Sequence, residues 1–166
     1  MKKLLCVLGV VAMLSSCYFE SPLVEEAVMP IDEQLLGVWE LENPDKDKAA
    51  NERMLVTQHS ANEYLVVYGA VEKAMIFRAF PIRFDDTDWI QIQLIGSMRG
   101  PVAERDRKFH LMRASVDGDR LSLSILKAAE LAEPSASTAQ LREAIAGKSD
   151  DASFFDAPKS FRRVKP

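Results

Sequence analysis

The sequence has little of what most recognised chemistries need. Only two cysteines and two histidines occur in 166 residues. Two histidines cannot supply a three-histidine zinc site, and neither a His-x-x-x-His pair nor a Cys-x-x-Cys is there to help. His59, in "VTQHSANE", reads as a strand end before the Ser60-Ala61-Asn62 turn, and His110, in "KFHLMRAS", as a strand residue. There is no glycine-rich phosphate loop and no Gly-x-Ser-x-Gly elbow. Asp85, Asp86 and Asp88 in "FDDTDW" supply oxygens of the kind calcium takes, but they lack the spacing and glycine of an EF-hand loop. They read as a solvated turn between two strands. The expectation is a protein without cofactor, metal site or catalysis.

A basic surface is missing too. The formal charge is −4, so no long-range attraction draws this chain to nucleic acid. The local group "ERDRKF" at 104–109 is interrupted by Glu104 and Asp106 and reads as a solvated turn or strand start.

A membrane-spanning run is also lacking. In "MKKLLCVLGVVAMLSSCYFE" the uncharged stretch from Leu4 to Leu14 is eleven residues long, against the roughly 20 needed to cross about 30 Å of hydrocarbon. The basic start, short apolar middle and small residues are instead the layout of a secretion signal. Its ending, Leu14-Ser15-Ser16-Cys17, resembles the lipobox of bacterial lipoproteins. The resemblance implies cleavage before Cys17, acylation of its thiol, and a membrane held through that anchor. Cys6 would leave with residues 1–16. The remaining 150 residues would carry a formal charge of −6, since only Lys2 and Lys3 are lost. The single remaining cysteine would be acylated, so no disulfide could form and stability would rest on a core. Tyr18 and Phe19, rather than an Asp, follow the cysteine. In enteric-type bacteria that favours the outer membrane, with the protein on its periplasmic side.

After the anchor, residues 17–30 read as a flexible tether. Pro22 and Pro30 interrupt helix, and Glu20, Glu25 and Glu26 make the segment hard to bury. Counted through to residue 36, the segment reaches at most about 60 Å from Cys17, and the folded body is expected to begin near Ile31.

What the sequence has in quantity is alternation. "NEYLVVYG", "WIQIQLIG" and "RLSLSILK" carry apolar residues at every second position, the period of a strand. In "KAMIFRAFPIRFDD" both parities are apolar, and Pro81 demands an edge, a bulge or a bend. Asp117-Gly118 suits a tight hairpin. The links are too short for crossover helices, so the strands are expected to be antiparallel. One helix interrupts them in "STAQLREAIAGK". Ser137 and Gln140 have capping-box spacing, Leu141, Ala144 and Ile145 form an apolar face, and Gly147 can stop it. Phe154 and Phe155 would pin the return loop. The expected fold over 31–166 is mainly β: a small antiparallel barrel or strongly curved sheet of about eight strands with one C-terminal helix.

"IDEQLLGVWELE" resembles the Gly-x-Trp start of lipocalin-like (calycin) barrels. The resemblance implies that Trp39 packs across the barrel base under a basic residue near the last strand, for which Arg162 and Arg163 are the candidates. An eight-stranded barrel either holds one small ligand or is filled by its own side chains. Trp39, Met75, Phe77, Phe80, Phe84, Trp89, Phe109 and Met112 are the bulky residues that would line or close such a cavity. Two functions follow: an envelope interaction module that docks another protein or a cell-wall component, or a carrier or sensor of a small apolar ligand.

Overall fold

The computed structural model describes residues 18–42 and 53–165. The signal segment, Cys6 and Cys17 lie outside the described residues. Among the described residues the chain forms a closed antiparallel barrel of eight strands, with one extra short strand and a single α-helix. In order these are β1 (Gly37–Leu41), β2 (Arg53–Gln58), β3 (Tyr64–Tyr68), β4 (Met75–Phe84), β5 (Thr87–Ser97), β6 (Gly100–Pro101), β7 (Phe109–Asp117), β8 (Arg120–Ile125), α1 (Thr138–Ile145) and β9 (Lys159–Arg163). Each strand pairs with its predecessor, except that β6 is a short return on β5 and β7 takes its place in the ring. The seam closes where β1 pairs antiparallel with β9, setting Trp39 opposite Arg163.

One rim carries the β3–β4 turn, the β5–β6 turn and the 102–108 connection; we call it the upper rim. The lower rim carries the β2–β3, β4–β5 and β7–β8 turns. The β4–β5 hairpin turns on Asp85 and Asp86, both at positive φ (52° and 56°). Two central residues at positive φ is the type I′ pattern, whose twist matches that of the flanking strands. In the β7–β8 hairpin the central pair is Gly118-Asp119, not Asp117-Gly118. Asp117 is still in the ladder opposite Arg120, and Gly118 supplies the positive φ of 58°.

Pro81 sits where β4 has outrun β3. The β3–β4 ladder ends at Tyr64 opposite Ala79, while β5 pairs with β4 as far as Phe84. The missing N–H of Pro81 therefore costs no ladder bond on the β3 side.

The barrel wall is apolar on both faces over β4, β5 and β7. One parity builds the inner core of Trp39, Met54, Val56, Tyr64, Ala79, Leu121 and Phe161. The other builds an outer core of Phe80, Ile82, Trp89 and Leu111, covered by α1 through Leu141 and Ile145 and by Phe155 of the return loop. The α1 capping box forms as the sequence spacing predicts, with Ser137 and Gln140 bonded reciprocally.

Residues 18–30 depart from the expected flexible tether. They run down the outer wall from the upper rim to the lower and close the outer core with Phe19 and Leu23, each 1% exposed. Phe19 exchanges two backbone hydrogen bonds with Phe109, both 2.8 Å. Mid-wall, Leu23 N–H and Val24 N–H donate to Oε1 of Gln91, and Gln91 Nε2 donates back to the Val24 carbonyl. From α1, Thr138 Oγ1 donates to the Pro22 carbonyl and Arg142 Nε to that of Leu23. At the lower rim Asn62 holds the Ala27 carbonyl, and Ile31 N–H donates to that of Ala61. The reason is energetic. Burying two large apolar side chains contributes about 1.5–3 kcal/mol each, and partners for the backbone polar groups remove the cost that usually keeps such a segment in water. Glu20, Glu25 and Glu26 remain exposed.

Candidate functional site

The base of the barrel is built from the turn that precedes β1. Asp32 caps a 3-10 turn over Glu33–Leu35, and the chain enters the barrel at Gly37, where φ is +135°. A Cβ there would stand 2.7 Å from Arg163 Nη1, so both the backbone angle and the close approach require glycine. Trp39 is fully buried, and its indole N–H donates to the Leu35 carbonyl at 2.9 Å. The Arg163 guanidinium carbon lies 4.1 Å from the indole centroid. Its two terminal nitrogens donate to the carbonyls of Leu36 and Gln34 at 2.6 and 2.7 Å. Arg163 is thus the arginine that stacks on the indole. Arg162, of opposite parity, points outward and pairs with Glu42.

Tyr64, Leu121 and Phe161 join Trp39 in the inner core, with Val66, Tyr68, Ile90, Ile92 and Leu123 partly buried around them. Tyr64, Leu121 and Phe161 are at most 2% exposed. Tyr68 meets the Phe161 ring edge-on at 6.4 Å. The Tyr64 hydroxyl accepts from Asp32 N–H at 2.6 Å and donates to the Asp32 carbonyl. Burial raises the Tyr64 phenol above its ordinary value, outweighing the backbone bond that favours the phenolate.

The bulky residues do not line one cavity. Trp39 belongs to the inner core, and Met112 is buried opposite Ile90. Phe80 and Trp89 belong to the outer core, and Phe84 packs against it beneath Arg142. Met75, Phe77 and Phe109 are part-exposed and lie in neither core. Trp89 stacks on Phe155 at 5.6 Å, with the Arg113 guanidinium 4.1 Å from the Phe155 ring.

Two surface depressions lie outside the barrel. One, of about 480 Å³, is formed by α1 and the segment before it, including Leu131, Ala136 and Gln140. The other, of about 460 Å³, lies beside the β7–β8 turn and the end of β9, and its walls carry Glu42, Asp119, Arg120 and Arg162. In the second, charges are paired among themselves: Arg120 and Arg162 both reach Glu42, and Lys165 reaches Asp119.

The polar residues considered for chemistry are apart or engaged. His59 stands at the β2–β3 turn on the lower rim, and His110 near the start of β7, toward the upper. Asp85 accepts from Gly147 N–H, tying the β4–β5 turn to the end of α1. Asp88 pairs with Arg83, which holds its carboxyl below the usual range. Among the described residues, no three His, Cys, Asp or Glu side chains converge as a metal site.

One residue that matters here escaped the sequence reading. Gln91 is fully buried, yet its alternation with Ile90 and Ile92 reads as a solvent-facing position. Its side chain does point away from the barrel interior; the docked segment 18–30 covers it. Comparison of the chain with protein-family models, with curated proteins and with solved structures found no match.

Proposed function

We propose that this chain is a bacterial envelope lipoprotein, acylated at Cys17 and held to the outer membrane on its periplasmic side, whose barrel is a non-catalytic module that docks another envelope protein or a cell-wall component. The observation that carries this reading is the inner core. Trp39, Tyr64 and Phe161 are buried side chains that take up room an eight-stranded barrel barely provides, which favours the outer surface for recognition. Gly37, Trp39 and the stacked Arg163 support the lipocalin-like reading of the barrel.

Native mass spectrometry of the protein taken gently from its own membrane tests the proposal. A stoichiometric protein partner or cell-wall fragment is the expected outcome. A stoichiometric small apolar adduct would overturn it in favour of a carrier. Intact-mass measurement of the same fraction should give a chain beginning at Cys17 with acyl mass added, and an unmodified soluble chain would remove the anchor.

A further inference from the structure

We propose that the upper rim is a bilayer-contacting surface that lies against lipid headgroups, so that the barrel is mounted on the membrane in one orientation; this rests on the acylation of Cys17 proposed above. The first observation is where the docked segment begins. Phe19 is hydrogen-bonded into the wall at Phe109, near the upper rim. Phe19 is two residues along the chain from Cys17, and two residues of chain span at most about 8 Å. Acyl chains attached there leave no leash on which the body could tumble.

The second observation is apolar exposure. Among the described residues the large exposed hydrophobics are Val28, Leu55, Val71 and Met98. Val71 is 80% and Met98 58% exposed, and both project from upper-rim turns. Met98 N–H donates to the Ala74 carbonyl at 3.1 Å, which holds the two turns side by side. Apolar tips ringed by polar groups are what a soluble rim avoids and an interfacial one uses.

The third is charge. Lys73, Arg99 and Arg105 are exposed around these tips, with Arg107 behind them and Glu72, Glu104 and Asp106 as the neighbouring acids. The lower rim is mixed: Asp88 and Asp119 there pair with Arg83 and Lys165, and Arg120 and Arg162 with Glu42. Exposed cations therefore stand among the apolar tips at the end where the docked segment begins, where lipid headgroups would meet them.

The experiment uses two full-length variants, Met98→Cys on the upper rim and Ser60→Cys on the lower. Each is purified from membranes, labelled with bimane and reconstituted into phosphatidylglycerol–phosphatidylethanolamine vesicles with or without a lipid spin-labelled near the headgroup. Quenching at position 98 should exceed that at 60 by at least threefold, and Arg99→Glu with Arg105→Glu should reduce it. Equal quenching, or more at 60, overturns the orientation. Intact mass of the same samples separates the failures: an unacylated chain defeats the anchor and this inference together, whereas an acylated chain with an unquenched position 98 defeats this inference alone.

Discussion

Trp39 and Tyr64 bear most directly on how the barrel is held shut at its base. Truncating a fully buried Trp costs about 3–5 kcal/mol, a large share of the 5–15 kcal/mol by which domains are stable. Trp39→Ala should lose that much in a denaturant melt, and would also leave Arg163 over a void. Tyr64 makes a pH prediction with a definite sign. Its phenol is raised above 10.0, so its contribution is fully present below that pH and is lost as pH rises through the folded value. Tyr64→Phe should cost about 1 kcal/mol at neutral pH, from the lost bonds to Asp32. It should also flatten the decline in stability as pH rises above about 10. Parallel melts of the two proteins across that range check both statements.

At the scale of elements, the docked segment and the hairpins give opposite lessons. Gln91→Leu keeps the volume but strips partners from Leu23 N–H, Val24 N–H and the Val24 carbonyl. The expected cost is about 1–3 kcal/mol, with amide exchange at Leu23 and Val24 at least tenfold faster by mass spectrometry. Asp86 in the β4–β5 turn is a non-glycine at positive φ, a conformation that costs about 1–2 kcal/mol. Asp86→Gly should raise the melting temperature by a few degrees, while Asp85, bonded to Gly147 N–H, should not tolerate the same change. Strands and helix were legible because their periods are local: Leu121, Leu123 and Ile125 announce β8, and Ser137, Gln140 and Leu141 announce α1. The docking of residues 18–30 was not, because the acids that mark a solvated tether stay in water while Phe19 and Leu23 alone turn inward. Nor could alternation assign the two faces of β4, where Ala79 enters the inner core and Phe80 the outer. Of the aromatic residues expected around one cavity, Trp39 therefore went to the inner core and Phe80 and Trp89 to the outer.

At the scale of the whole molecule, the barrel is closed by its first and last strands, β1 with β9. Joining ends that far apart in sequence costs about 4 kcal/mol of chain entropy, recovered only when the seam forms. A chain exported N-terminus first would hold β1 with one unpaired edge until Lys159–Arg163 had emerged. Ending the chain after Asp156 should therefore leave an open seven-strand sheet with two raw edges, the geometry that recruits other chains; sedimentation should find aggregate in place of monomer. The seam makes folding a test of completeness. A copy that ends before Lys159 lacks the piece that shuts the ring, so protein quality control would meet an exposed edge instead of a finished surface.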